Sequence, residues 1–329
     1  MEFSRLLANL VAIIAITAVL ASAPPVQAQL TLTADGISRG FHLSTLASNF
    51  PNADNGFGTA GAFGDLFTTS GLLVSDGTDS SVRLFKHDCD GQDASKITPT
   101  AFYAIGKGGP TGMTRAHLSG KPRYYLATDA SEVFEINNNG TEVQKVVAIP
   151  GDFNLAAIAG DPHFGVLLIT APFCQNSFGN GCLGGVFAVD PVAHTSAEFI
   201  FNSIVTGLQV DSSDNIFLTF TFFGTVWFNP DFSFNSQFLL SEIEGSVLGT
   251  GALRDRIFLF NAAGELWEQR LDGSDLTMIA SGGTFTPLAT ADPHNGSIVF
   301  PQSDKVVRLS GGGLASDDGT TAVNSCEAK

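Results

Sequence analysis

One short strand pattern, written six times, constrains this chain more than any other feature. It reads Ser-Val-Arg-Leu-Phe from Ser81, Glu-Val-Phe-Glu-Ile from Glu132, Gly-Val-Phe-Ala-Val from Gly185, Thr-Val-Trp-Phe-Asn from Thr225, Glu-Leu-Trp-Glu-Gln from Glu265 and Lys-Val-Val-Arg-Leu from Lys305. Anchored on Val82, Val133, Val186, Val226, Leu266 and Val306, the period runs from about 40 to about 53 residues, the length of a four-stranded propeller blade with variable loops. A β-rich run precedes each anchor: Gly71-Leu-Leu-Val-Ser-Asp76, Arg123-Tyr-Tyr-Leu-Ala-Thr-Asp129, Val166-Leu-Leu-Ile-Thr170, Asn215-Ile-Phe-Leu-Thr-Phe220, Arg256-Ile-Phe-Leu-Phe260 and Ser297-Ile-Val-Phe300. These read as buried second strands.

In front of them come small-residue openings, Gly61-Ala-Phe-Gly64, Gly109-Pro-Thr-Gly112, Asn154-Leu-Ala156, Val205-Thr-Gly207 and Thr286-Pro-Leu288, as expected of strands crowding a central axis. Blade five departs, with Ser246-Val-Leu-Gly249. Two following turns share a phrase, Asp161-Pro-His-Phe-Gly165 and Asp292-Pro-His-Asn-Gly296, in which Pro presets φ and Gly accepts the positive φ that closes a hairpin. Outer strands follow at 141–147, 197–201, 236–240 and 276–280, but the sixth repeat has none and runs into Gly311-Gly-Gly313. Phe41-His-Leu-Ser-Thr-Leu-Ala47 has the character of an outer strand, so the N-terminal segment is expected to complete the last blade and remove the open edge. The reading is all-β: a six-bladed β-propeller of four-stranded antiparallel blades, one domain over 29–313 with a polar tail over 314–329.

Residues 1–28 are a different kind of text. Arg5, the apolar run Leu10 to Ala23, Pro24-Pro25 and the small-residue pattern Val26-Gln-Ala28 read as a signal peptide cut after Ala28; the alternative, an uncleaved anchor, is disfavoured because the run is shorter than the roughly 20 residues a spanning helix needs. A secreted protein, or a periplasmic one, is expected, with no stable membrane span and a monomeric state. Export makes disulfides the natural reading of the four cysteines. Three pairings are open; the favoured one joins Cys174 to Cys182 across a blade-three insertion and Cys89 to Cys326 across the ring closure. Zinc is disfavoured, since no paired Cys-x-x-Cys spacing occurs and the histidines are scattered. The net charge of −16 repels phosphate backbones and argues against nucleic acid as a partner.

Gly-Pro-Thr-Gly-Met at Gly109, Thr-Gly-Leu-Gln-Val-Asp-Ser-Ser-Asp-Asn-Ile-Phe-Leu at Thr206 and Leu-Leu-Val-Ser-Asp-Gly-Thr-Asp-Ser-Ser-Val-Arg-Leu-Phe at Leu72 resemble the blade consensus of NHL-repeat proteins, streptogramin-lyase-like proteins and the SMP-30/gluconolactonase superfamily. The resemblance covers nearly all of the chain after residue 28 and speaks for fold more than activity. It implies, for the lactonases, a divalent cation such as calcium or magnesium held at the axis by a Glu, an Asn and an Asp from different inner strands. The equivalent openings read as Ala62 or Phe63, Thr111, Asn154, Thr206, Val247 and Thr286, of which only Asn154 is a strong ligand. A gluconolactonase-like mechanism is therefore not expected, nor is a lyase-like His and Glu pair evident beside the axis.

Thr111, Asn154, Thr206 and Thr286 remain as a neutral axis ring. They are either a hydrogen-bonding floor for a small polar ligand or β-prone residues that satisfy buried backbone groups. His117, His163 and His294 fall in turns and read as exposed. His87-Asp-Cys-Asp-Gly-Gln-Asp93 lacks the terminal Glu of a calcium loop and reads as a solvated acidic turn. Asn139-Gly-Thr141 and Asn295-Gly-Ser297 are glycosylation sequons that matter only in a eukaryotic secretory route. Phe220-Thr-Phe222-Phe223 reads either as an exposed aromatic patch for a partner or glycan or, as its alternation favours, as core. The favoured function is a secreted binding or interaction module for an extracellular protein, glycan or small molecule. The alternative is an SMP-30- or streptogramin-lyase-like hydrolase or lyase with an altered metal site.

Overall fold

A computed structural model describes residues 29–314, apart from 52, 55–58, 104–108, 119, 121, 175–182, 201, 241, 285 and 287. Six antiparallel sheets follow one another around a ring. From axis to rim, blade one is Ala62–Thr68, Gly71–Asp76, Ser81–Phe85 and Ala101–Phe102, and blade two is Pro110–Ala116, Arg123–Thr128, Glu132–Ile136 and Glu142–Ala148. Blade three is Ile158–Asp161, Val166–Cys174, Leu183–Asp190 and Thr195–Ile200, with Phe153–Asn154 pairing to the far end of its second strand. Blade four is Val205–Val210, Ile216–Phe220, Gly224–Phe228 and Phe234–Phe238, and blade five is Ile243–Leu248, Arg256–Asn261, Leu266–Arg270 and Thr277–Ser281. Among the described residues, blade six has Thr290–Ala291 innermost, then Ile298–Gln302 and Lys305–Gly311.

The expected closure is present. Phe41–Ser48 pairs antiparallel with Lys305–Gly311, from Phe41 opposite Gly311 to Ala47 opposite Val306, and so supplies the outer strand of blade six. Beyond it, Gln92–Asp93 adds a short parallel pairing from the loop after blade one. A second N-terminal contribution left no mark in the repeat: Thr31–Leu32 adds a fifth strand to blade five, opposite Ala280 and Ser281. The helix Ala34–Ser38, capped by the Thr33 hydroxyl on the Gly36 N–H, links the two additions.

Burial explains the uninterrupted apolar text of the second strands. Apolar side chains collect in six clusters, each wedged between adjacent blades. Successive side chains of a strand point to opposite faces. Leu72 and Val74 thus enter the wedge between blades six and one, whereas Leu73 enters the wedge between blades one and two. Both faces are covered, so the strand is apolar throughout. The small-residue openings have an equally local cause. A Cβ on Gly64 would lie 2.4 Å from the Thr111 carbonyl oxygen of the next blade, and one on Gly112 would lie 2.2 Å from that of Ala156. The innermost strands touch backbone to backbone, and these positions have no room for a side chain.

Two sequence expectations are corrected. The turn after blade four's second strand is formed by residues 221–223, so Phe222 and Phe223 are exposed rather than core. The blade-four anchor is Thr225, because the register pairs it with Thr219 one residue before the Val226 of the repeat alignment. Cys182, Cys326 and residues 1–28 lie outside the described residues, as does the side chain of Cys174. Cys89 is buried and is not a free thiol, but which cysteine it bonds lies outside the described residues. No helix among the described residues is long and apolar enough to cross a membrane.

Candidate functional site

The registers align the innermost strands level by level. Val205 faces Phe220 and Gly207 faces Thr219; Ile243 faces Asn261 and Gly245 faces Phe260. Glu244 therefore occupies in blade five the place of Thr206 in blade four. The same level holds Thr111 in blade two and Thr286 in blade six, each donating its hydroxyl to a middle-strand carbonyl: Thr111 to Ala127 (3.0 Å), Thr206 to Thr219 (3.5 Å) and Thr286 to Pro301 (3.1 Å). Phe63 and Ala156 complete it. The structure thus brings Thr111, Thr206 and Thr286 together and leaves Asn154 two residues away, in a separate short pairing with Phe173.

Glu244 corrects the sequence reading, which placed Val247 at this level. Its carboxyl receives the Thr286 backbone N–H, and its Oε2 is buried without a hydrogen-bond partner. Burial pushes it up to about 7; repulsion from Glu242 adds to this and the Thr286 hydrogen bond opposes it. The missed signal was the residue before a glycine: Thr111-Gly112, Thr206-Gly207 and Glu244-Gly245 share that grammar. Because the folded state holds this proton more tightly than the unfolded chain does, its stabilisation is complete below about pH 4.5 and is lost as pH rises through about 7. In urea melts, Glu244→Gln is expected to gain on the wild type by on the order of 2 kcal/mol between pH 4.5 and pH 8. A difference independent of pH would show that Glu244 titrates normally.

Further along the channel lies a cavity of about 640 Å³ to which the innermost strands of all six blades contribute. Asp65, two places beyond Phe63, lines it. This residue is 6 % exposed, its Oδ2 has no partner, and burial holds its carboxyl well above the usual carboxylate range. Gln209 lines the same cavity, donating to the Ser246 and Ala289 carbonyls and accepting the Leu248 N–H, so it ties blade four to blade five and to the segment entering blade six.

Away from the axis, Asp88, Asp292 and His294 offer ligand atoms within 4.8 Å of one another, a possible cation site. A cation is already built into it. Arg308, fully buried, donates to Asp88, to Asp90 at 3.2 Å, and to Asp292 and the Ser297 hydroxyl at 2.9 Å. Arg308 takes one oxygen of Asp88 and one of Asp292, so a metal ion here would share its carboxylates with a buried guanidinium and be disfavoured by its charge. The loop 87–93 is thus more than a solvated acidic turn: His87 and Asp88 are exposed, but through Asp88 and Asp90 the loop is half of a clasp between blades one and six. At the axis, Glu244 and Asp65 lie on different levels and Asn154 on neither, so the Glu, Asn and Asp set implied by the resemblance is not assembled. His117, His163 and His294 are exposed, as expected of turns.

The chain is a six-bladed β-propeller with buried carboxyls, Glu244 and Asp65, along its central channel. No family model matches its sequence, and no curated protein does. Among solved structures it is similar to a gluconolactonase from Xanthomonas campestris, at TM-score 0.61 and 12% identity over 88% of this chain and 98% of that one. It is also similar to a catalytically inactive virginiamycin B lyase from Staphylococcus aureus solved with quinupristin, at TM-score 0.51 and 10% identity over 82% and 99% of the two chains. A Thermus thermophilus protein described as an oxidoreductase (glucose dehydrogenase) gives TM-score 0.55 at 12% identity, covering 82% of this chain and 100% of that one. At these identities the likeness is one of fold.

Proposed function

We propose that this chain is an exported enzyme acting on a small lactone or ester in its central channel, with Glu244 as the group that moves the proton. The observation that carries this reading is the half-buried carboxyl at the axis, held near pH 7 with one oxygen unspent. A general base is most effective when its pKa lies near the working pH. In the step envisaged, the Glu244 carboxylate takes a proton from water as the water oxygen bonds to the carbonyl carbon. The carbon to alkoxy-oxygen bond then breaks, and the leaving oxygen receives the proton. The gluconolactonase-type fold supports the substrate class by analogy only. Export, and the pairings Cys174 with Cys182 and Cys89 with Cys326, belong to the same reading.

A pH-indicator screen of aldonolactones and small aliphatic esters tests it. Turnover by the wild type that falls by about 10² to 10⁴ in Glu244→Gln is the expected outcome. No turnover by the wild type, or equal turnover by both, would sink it. The second reading is a binding module without catalysis, favoured by Phe222, Phe223, Phe234 and Leu239 of blade four, each 64–69 % exposed, as a contact surface for an extracellular protein or glycan.

A further inference from the structure

Eight arginines fall within the described residues, and six are ion-paired: Arg39, Arg83, Arg123, Arg256, Arg270 and Arg308. Arg115 and Arg254 have no ion pair, and both line the axial cavity. A chain of net charge −16 has no shortage of carboxylates to pair with them. Their placement is also selective. Arg115 comes from the innermost strand of blade two and Arg254 from the loop after the innermost strand of blade five, two blades that face each other across a six-membered ring. Among the described residues, two carboxyls line the same cavity, those of Asp65 and Asp211. Asp211 is spent on its own turn, accepting the Ser213 and Asn215 N–H groups and the Asn215 carboxamide. Asp65 lies buried in the wall, its Oδ2 unpartnered.

We propose that this mouth of the channel binds a small organic oxyanion, a carboxylate or a phosphate, between Arg115 and Arg254, with the polar remainder of the molecule reaching toward Asp65. Guanidinium groups bind such oxyanions through paired N–H donors, and the partly enclosed cavity strengthens the interaction over that in open water. Burial raises the Asp65 carboxyl well above the usual carboxylate range and so favours its neutral form, which can donate to a ligand hydroxyl instead of repelling the charge. The cavity differs from the Glu244 level, so the proposal stands whether or not the chain turns over a lactone.

Calorimetric titration of the purified chain at low salt with glycerol 3-phosphate, with glycerate and with uncharged glycerol tests the site. Saturable binding of one or both anions and none of glycerol is expected, and the anion preferred identifies phosphate or carboxylate as the recognised group. Arg115→Gln/Arg254→Gln should weaken binding at least about tenfold, and each single variant should weaken it less. Arg123→Gln/Lys145→Gln removes the same charge from exposed ion pairs of blade two and should leave affinity unchanged. The proposal is overturned if neither anion saturates the wild type, if the double variant binds as tightly as the wild type, or if the charge-matched control loses as much.

Discussion

Replacing Arg308 with methionine is expected to destabilise the protein by about 3–5 kcal/mol, enough to lower the melting temperature by roughly 10 °C. The guanidinium is fully buried and meets three carboxylates, one of which, Asp292, is buried with it. Methionine fills much of the volume but leaves Asp292 charged and unpaired, and that residual charge carries most of the cost. Arg308→Met combined with Asp292→Asn should therefore recover more than half of the loss, since the amide oxygen can still accept the His294 N–H that shapes the turn. Thermal and urea melts of the single and double variants check this. Equal melting of the Arg308→Met variant and the wild type would mean that the clasp contributes nothing net. Blade three offers an internal comparison: the equivalent Asp161 has an unpartnered Oδ2, and the strand position matching Arg308 is Ala188.

Removal of residues 29–48 should abolish the cooperative melt altogether. Blade six would lose its outer strand and blade five its fifth, and the Arg39 bridges to Glu268 and Asp275 would go with them. Phe41→Ala provides a graded version. Its ring is 2 % exposed and meets Phe258 edge-on at 6.0 Å, so truncation should cost about 3–4 kcal/mol. A truncated chain that still unfolds in one sharp transition near the wild-type temperature, or a Phe41→Ala variant within 1 kcal/mol of wild type, roughly, would show that the ring does not depend on this closure.

The blades were legible because each repeat writes the same local physics. Covered strands such as Gly71–Asp76 are apolar throughout, turns such as Asp292-Pro-His-Asn-Gly296 carry Pro and Gly at the positions that need them, and axis strands are small where backbones touch. The closing strand was legible for a complementary reason: four blades are followed by an outer strand of their own and the sixth runs into glycines, whereas blade one's two-residue outer strand, Ala101–Phe102, was too short to stand out. The site was less so. Glu244 escaped because small residues were sought at the axis and Ser246-Val-Leu-Gly249 satisfied that search three residues too late, whereas the register is set by Gly245. The Arg308 clasp had no local signature at all. Its partners lie in a turn sixteen residues upstream and in a loop more than two hundred residues away, and only ring closure brings them together. Arg115 and Arg254 are of the same kind, since what sets them apart is the absence of a carboxylate partner, which only the folded chain reveals.

Pairing the first substantial strand with the last also sets a clock. Phe41 leaves the ribosome about 270 residues before its partner Gly311, and at 5–20 residues per second that interval is roughly 13–54 s. Throughout it, the eight residues of Phe41–Ser48 are a strand without a sheet, and five blades stand as an open arc with unpaired hydrogen-bonding groups at both ends. The native ring therefore waits for Gly311 to emerge, and the period of greatest exposure to misassembly is a property of the distance along the chain between the two strands rather than of any one blade's stability.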